Sequence, residues 1–136
     1  MYNERKRSEM MATRMLHTCV RVKDLEASLK FYQEGLGLIE TRRLDYPDYE
    51  FSLIYLSTEM GGYEIELTYN YNTEKPYDLG NGFSHVALGV DDLEASHEAH
   101  KAMGYEVTDL KGLPGTTPNY YFVTDPDGYR VEIIRN

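Results

Sequence analysis

An internal repeat governs how this chain can fold. The stretch HTCVRVKDLEAS begins at His17 and HVALGVDDLEAS begins at His85, and seven of the twelve paired positions are identical. The ends of the two copies also correspond, with YEIELTYN beginning at Tyr63 and YRVEIIRN beginning at Tyr129. A repeat of this kind encodes one supersecondary unit that is used more than once. The sequence therefore predicts two copies of the same structural unit.

The repeat also predicts the domain organisation. The two copies cover residues 15–75 and 83–136, and the polar segment YNTEKPYDLGNG connects them. We expect both copies to form one domain over residues 15–136, which is long enough to bury a sizeable core. Residues 1–14 are polar and charged, and they are predicted to form a flexible N-terminal extension.

Each copy is predicted to form a βαβββ unit, which gives an α+β fold with a pseudo-twofold arrangement of the units. The first strands are the alternating segments Leu16–Val22 and His85–Val90. The second strands are LIETRRLDY and YEVTDL. Each copy then ends in a hairpin, FSLIYLS with YEIELTY in the first and YYFVT with YRVEII in the second. Glycine at the corners supplies the positive φ of tight turns.

The predicted helix of each copy has a recognisable beginning and end. Asp24 and Asp92 are placed as N-caps, where a carboxylate accepts hydrogen bonds from the free N–H groups of the first turn. Gly35 and Gly104 are expected to end the two helices.

Strand alternation places a histidine and a glutamate on matched faces of the two copies. Residues two apart share a face of a strand. His17 and His85 begin the first strands, and Glu66 and Glu132 lie in the last strands. Pseudo-twofold symmetry is expected to bring these four residues near a common axis. Their nitrogen and oxygen donors suit a divalent transition metal in octahedral coordination with waters at open positions.

The repeat also separates ligand candidates from other polar residues. Glu64 shares a face with Glu66 but aligns with Arg130, so we expect it to be a salt-bridge partner or a solvated group. His97 and His100 lie three residues apart on the second predicted helix. They have no histidine counterparts in the first copy, so they are predicted to be surface residues.

Composition excludes several classes of partner. The net charge is −9 and the isoelectric point is about 4.8. Nucleic acids and anionic membranes require a basic face, so neither is an expected partner. The single cysteine, Cys19, cannot form an internal disulfide, which favours a reducing cytoplasm. Its place in an alternating strand predicts a buried, unreactive thiol.

The sequence resembles glyoxalase I (lactoylglutathione lyase), a family of the vicinal oxygen chelate superfamily, over about residues 15–136. The segments that carry the resemblance are MLHTCVRVKDLEASLKFYQEGLGL, IELTYNY, GFSHVAL and DPDGYRVEII. By this resemblance the metal ligands are His17, Glu66, His85 and Glu132. The resemblance also implies a homodimer, with His17 and Glu66 from one chain and His85 and Glu132 from the other.

The resemblance implies a metal and a reaction as well. The chain is similar to the nickel class of the family, so we expect one Ni²⁺ per site, with Zn²⁺ or Co²⁺ as alternatives. The expected substrate is the hemithioacetal of methylglyoxal and glutathione, or of a similar small thiol, and the expected product is the S-lactoyl thioester. A proton moves from C1 to C2 through an enediolate, in a reaction that detoxifies methylglyoxal. The family's last-strand glutamate, here Glu132, is the base, and Glu66 is the second candidate.

Thiol recognition follows the family only in part. The resemblance implies that Arg21 and Asn70 hold the glutamyl end of glutathione. A basic residue of a late loop holds the glycyl carboxylate in the family, and Lys111 is close to that position but displaced. Another low-molecular-weight thiol is therefore an open alternative. Other members of the superfamily also stay open, namely metal-dependent epimerases, thiol transferases and non-catalytic drug-binding proteins.

Overall fold

The computed structural model describes Glu4 and residues 12–136. The flexible extension predicted over residues 1–14 thus lies mostly outside the described residues. Within the described part of the chain, no helix has the length and apolar character needed to cross a bilayer.

The first module, residues 15–75, forms a four-stranded sheet. Its strand order is β1-β4-β3-β2, with β1 parallel to β4 and the other neighbours antiparallel. Helix α1 is short and continues directly into one π-helical turn. The elements are β1 (His17–Val22), α1 (Leu25–Leu29), the π-helical turn (Lys30–Gly35), β2 (Ile39–Tyr46), a 3-10 turn (Pro47–Tyr49), β3 (Phe51–Ser57) and β4 (Glu64–Asn70).

The second module, residues 83–136, repeats the plan with one strand fewer. Its sheet has the order β5-β7-β6, with β5 parallel to β7 and β6 antiparallel to β7. The elements are β5 (His85–Val90), α2 (Leu93–Ala102), β6 (Tyr120–Thr124) and β7 (Arg130–Arg135). The α+β class and the two-module architecture predicted from the repeat are confirmed.

The predicted second strand of the second module, YEVTDL, does not form. Only two isolated bridges remain there, Val107 with Val123 and Lys111 with Tyr120. The loop that follows contains Pro114 and Pro118, and proline cannot donate a ladder hydrogen bond. The edge of the second sheet is therefore irregular where the first sheet has β2.

Both predicted N-caps are confirmed. The Asp24 carboxylate accepts from the Ala27 amide at 3.0 Å, and the Asp92 carboxylate accepts from the Ala95 amide at 3.0 Å. The shared DLEAS phrase therefore starts both helices in the same way.

The helix ends correspond only in part. Gly104 has φ +84°, so it ends α2 in the left-handed conformation, as predicted. Gly35 is the last residue of the π-helical turn, and Gly37, with φ +74°, takes the left-handed conformation. A Cβ on Gly35 would lie 2.9 Å from the ring of Tyr105. The helical segment of the first module thus ends at Gly35 as predicted, although the left-handed conformation falls on Gly37. Gly35 also allows close packing between the modules.

One hydrophobic core joins the two modules. Phe31 packs edge-on against Tyr105, with ring centroids 5.0 Å apart. The buried Tyr32 hydroxyl donates to Asp125 of the DPDG turn at 2.7 Å. The fully buried side chains include Val22, Phe31, Tyr32, Ile54, Leu56, Leu67, Leu93, Tyr121, Val123, Val131 and Ile133. The modules are thus fixed against each other through their helices and hairpin turns.

His97 and His100 are buried, so their prediction as surface residues was wrong. Their exposed fractions are 7% and 5%. His100 Nε2 lies 2.8 Å from the Gly35 carbonyl, and its Nδ1 lies 2.7 Å from the Tyr121 hydroxyl. Because the carbonyl only accepts, Nε2 donates to it and the neutral ring can accept from Tyr121 at Nδ1. These histidines are structural, and His100 links the second module to the first.

Candidate metal centre

His17 and Glu66 form a pair at the edge of the first sheet, which we call the first half-site. In the parallel register of β1 and β4, Glu66 lies opposite Cys19. His17 precedes Cys19 by two residues on β1, so it lies on the same face of the sheet. His17 Nε2 lies 3.1 Å from Glu66 Oε2. The His17 ring also contacts Tyr55 edge-on, with centroids 5.6 Å apart.

His85 and Glu132 form the corresponding second half-site. Glu132 pairs with Ala87 in the parallel register of β5 and β7, which repeats the relation between Glu66 and Cys19. His85 Nε2 lies 3.4 Å from Glu132 Oε1. Phe122 contacts the His85 ring edge-on at 5.0 Å, as Tyr55 does for His17. The two half-sites thus have the same backbone plan.

The two half-sites are separate within one chain. In the part of the chain that the structure describes, no group of three or more histidine, cysteine, aspartate or glutamate side chains is arranged to hold a metal ion. The expectation that the repeat brings all four residues around one axis is therefore not met by a single chain. Each half-site offers one nitrogen and one oxygen donor.

The donor atoms of each half-site fit two neighbouring positions around one divalent ion. Ligands bound at about 2.1 Å are separated by roughly 3.0 Å in octahedral and 3.4 Å in tetrahedral geometry. The observed separations of 3.1 Å and 3.4 Å lie in this range. Imidazole with carboxylate is also a suitable donor set for nickel, zinc or cobalt. The residues present therefore fit such a metal, provided that two half-sites meet.

Polar neighbours surround the Glu66 carboxylate. The Thr68 hydroxyl donates to Glu66 Oε1 at 3.1 Å. Burial opposes ionisation of Glu66, but hydrogen bonding, first from Tyr55 and then from Thr68, outweighs it and lowers the pKa of this carboxyl below its ordinary value. Burial and the neighbouring Glu66 carboxylate raise the pKa of Tyr55 to about 12. Glu66 is thus held ionised while Tyr55 is held as a neutral donor.

Cys19 is not the buried residue that was predicted. It is exposed in the single chain, and its Sγ lies 3.2 Å from the Thr68 hydroxyl. Partial burial of the thiol raises the pKa of Cys19. The thiol therefore stays protonated, and the expectation that it is unreactive is consistent with this environment.

Thr68 and Tyr55 contribute to the first half-site, although neither is among the predicted site residues. Thr68 follows Glu66 by two residues, so strand alternation places it on the same face. Tyr55 is paired with Glu66 across β3 and β4. The position of Thr68 could be predicted from strand alternation, whereas the position of Tyr55 requires the register of β3 and β4.

Glu64 behaves as predicted for a residue outside the metal set. Its carboxylate pairs with Arg42 Nη2 at 3.2 Å and accepts a hydrogen bond from Thr41. The hydrogen bond from Thr41 is the main cause that lowers the pKa of Glu64. The prediction of a salt-bridge partner is confirmed.

The predicted thiol-binding residues are divided between the modules. Arg21 lies in a cleft of about 290 Å³ that Tyr77 also lines, and Asn70 Nδ2 donates to the Tyr77 hydroxyl at 3.1 Å. No carboxylate of residues 12–136 pairs with Arg21. Lys111 is exposed and belongs to the second module, beside Tyr120. Arg21 and Asn70 are therefore near one another, whereas Lys111 lies in the other module.

The sequence of this chain matches a known protein family. The family described as the Glyoxalase/Bleomycin resistance protein/Dioxygenase superfamily matches residues 14–133. The lactoylglutathione lyase of Haemophilus influenzae is 45% identical over 125 residues, which are 90% of this chain and 92% of that protein.

Two solved structures extend the comparison. The trypanothione-dependent glyoxalase I of Leishmania major is similar with a TM-score of 0.80 and 33% identity, over 91% of this chain and 87% of the other. Glyoxalase I of Zea mays gives a TM-score of 0.85 and 36% identity, over 90% of this chain and 44% of that one. Since the family match covers most of the sequence, the chain belongs to the Glyoxalase/Bleomycin resistance protein/Dioxygenase superfamily.

Proposed function

We propose that the chain is a glyoxalase I, which converts the hemithioacetal of methylglyoxal and glutathione into S-lactoylglutathione in the cytoplasm. The observation that carries this proposal is the pair of His–Glu half-sites, each with its nitrogen and oxygen at a ligand–ligand distance. The 45% identity to a lactoylglutathione lyase over nine-tenths of the chain supports the same reaction.

A homodimer would complete the site. The histidines lie on β1 and β5, and each of these strands is at the edge of its sheet. An edge strand offers unpaired backbone groups to another chain. The apolar side chains of Met15, Leu16 and Phe83 are also exposed beside these strands. A second copy could cover them and place the second half-site opposite the first.

The assembled site would hold one Ni²⁺, with Zn²⁺ or Co²⁺ as alternatives. His17 and Glu66 of one chain and the equivalents of His85 and Glu132 from a second copy would be its protein ligands. When bound, the metal would supply the positive charge that stabilises negative charge developing on the substrate oxygens.

Glu132 would carry the proton. Its carboxylate removes the C1 proton of the hemithioacetal and returns it to C2, while the proton of the C1 hydroxyl passes to the C2 oxygen. The carbonyl and hydroxyl carbons thus exchange oxidation levels without any external oxidant. Glu66 faces the same centre and is the second candidate for this role. Tyr55 and Thr68 keep Glu66 ionised and oriented.

The proposed function has a direct test. We expect the purified protein to contain about one nickel, zinc or cobalt ion per chain, and to form thioester from methylglyoxal and glutathione. Removal of the metal with a chelator should abolish activity, and added Ni²⁺ should restore it. A protein that stays inactive with nickel, zinc and cobalt, and with several small thiols, would contradict the proposal and favour an epimerase, a thiol transferase or a drug-binding protein.

Arg21 provides a test of thiol recognition. Its guanidinium pairs with no carboxylate of residues 12–136, lies in a cleft and suits a carboxylate ligand, because it can donate two parallel hydrogen bonds. We expect Arg21→Met to raise KM for the glutathione adduct about 10-fold to 100-fold, with kcat changed by no more than about 3-fold. Arg14→Met, which removes an exposed guanidinium outside the elements of the fold, is the control. Equal KM values for the two variants would exclude Arg21 from substrate binding.

A further inference from the structure

We infer that Thr68, supported by Cys19, is a positioning residue that fixes the Glu66 carboxylate. Glu132 has no such hydrogen-bond donors among residues 12–136, so its carboxylate is free to carry the proton. The inference rests on the proposed function. It adds a physical reason for the division of labour between two carboxylates that the repeat makes equivalent.

The repeat identifies the residues to compare. Thr68 follows Glu66 by two positions on β4, and Ile134 follows Glu132 by two positions on β7. Cys19 is the register partner of Glu66. Its counterpart, the partner of Glu132 in the other sheet, is the alanine at position 87. Two groups that can form hydrogen bonds in the first half-site are thus replaced by apolar side chains in the second.

A third difference lies on the neighbouring antiparallel strands. Tyr55 is the register partner of Glu66, and Phe122 is the register partner of Glu132. Both rings lie edge-on to the histidine of their half-site. The two positions therefore share a shape and a packing role, and they differ only by the hydroxyl group of Tyr55.

The hydrogen bonds in the first half-site have one consistent direction. Thr68 has a single hydroxyl proton, and it donates this proton to Glu66 Oε1 at 3.1 Å. The Cys19 thiol, 3.2 Å away, must then donate to the Thr68 oxygen. Glu66 Oε2 faces His17 at 3.1 Å. Both carboxylate oxygens of Glu66 therefore have a partner, and Oε2, which faces His17, is the oxygen on the side of the metal centre.

The Glu132 carboxylate has fewer restraints. Its Oε1 lies 3.4 Å from His85, and no hydroxyl, thiol or amide of residues 12–136 donates to it. The glutamate side chains of the two half-sites are similarly accessible, 12% exposed for Glu66 and 17% for Glu132. Solvent access therefore does not distinguish the two carboxylates, whereas the hydrogen bonds that they accept do.

The difference matters because a carboxylate that carries a proton must change its position and partners during the reaction. A hydrogen bond to a charged group must be broken when Glu66 moves, which disfavours that movement by about 10-fold to 100-fold. Glu132 has no equivalent bond to break. The structure therefore assigns Glu66 the fixed ligand role and Glu132 the mobile one.

The test compares Thr68→Val, which removes the hydroxyl but keeps the shape, with Thr68→Ser, which keeps the hydroxyl. Nickel affinity is measured by competition with a chromogenic chelator, a readout that needs no substrate. We expect T68V to bind Ni²⁺ about 10-fold more weakly than the wild type, because oriented ligands lose affinity when their hydrogen-bond partner is removed. T68S should bind within about 2-fold of the wild type. Ile134→Val, at the matching position of the second module, is the control and should leave the affinity unchanged.

The second arm measures activity in the Glu132→Gln background with saturating nickel. Releasing Glu66 should let it take over the proton, so E132Q/T68V should regain about 10-fold activity over E132Q, while E132Q/T68S should not. Unchanged nickel affinity in T68V, or no gain in E132Q/T68V, would overturn the inference. Failure of the proposed function is distinguishable, because the wild type would then form no thioester while the affinity arm still reports on Thr68.

Discussion

Replacing Glu132 with glutamine should lower kcat by about 10³-fold, while the protein stays folded and continues to bind nickel. Glutamine keeps the size of the side chain and one carbonyl oxygen, but it cannot accept a proton at neutral pH. Loss of a general base costs on the order of 10²-fold to 10⁴-fold in rate. The effect should appear in kcat more than in KM, because proton abstraction occurs after the substrate binds. Initial rates of thioester formation at saturating nickel measure it.

Glu64→Gln is the matched control for this prediction. Glu64 is also a strand glutamate beside a half-site, but its carboxylate is committed to Arg42 and Thr41. We expect kcat of this variant to stay within about 2-fold of the wild type, since an exposed ion pair contributes little. If Glu132→Gln retained wild-type turnover, Glu132 would not be the base. A large loss in Glu64→Gln would show instead that the repeat had selected the wrong carboxylate of the EIE motif.

The repeat was sufficient to predict the histidine and the glutamate of each half-site. Strand period two and the alignment of YEIE with YRVE select Glu66 over Glu64, and the pairing of Glu64 with Arg42 agrees with that choice. The parallel pairing of each first strand with each last strand then sets each histidine beside its glutamate. Local patterns therefore specified which side chains meet within a module.

The relation between the modules could not be predicted in the same way. A repeat is equally compatible with two half-sites that meet within one chain and with two that meet between chains, because both arrangements satisfy the same strand pattern. Only the packing of the shared core, where Phe31 meets Tyr105, decides how the modules lie in one chain. That packing depends on side-chain shape over long sequence separations, which periodicity does not encode.

Three residues, His97, His100 and Cys19, differ from the prediction because their environments depend on contacts between modules or strands. Gly35 ends the helical segment as predicted, but it also makes room for Tyr105 and offers its carbonyl to His100, which the sequence pattern does not show. His100 was read as exposed because helix spacing alone does not show what covers a helix face. Cys19 was read as buried, whereas it borders a half-site at the edge of the sheet.

The second large effect concerns the assembly of the metal site from two chains. Suppose that one variant chain lacks the first half-site, through His17→Ala and Glu66→Gln, and that another lacks the second, through His85→Ala and Glu132→Gln. Each homodimer should be inactive, with kcat at least about 10³-fold below the wild type. In a mixed dimer with sites shared between chains, one site collects all four substitutions and the other collects none. The mixed dimer should therefore regain activity that neither parent has.

The decisive measurement is the thioester-forming activity of this mixed dimer, purified with two different affinity tags after co-expression. Sites built from half-sites of two chains predict about half of the wild-type kcat per dimer, together with one nickel ion per dimer at wild-type affinity. Size-exclusion chromatography of both parents controls for dimer formation. A mixed dimer as inactive as its parents, although correctly assembled, would contradict the shared site.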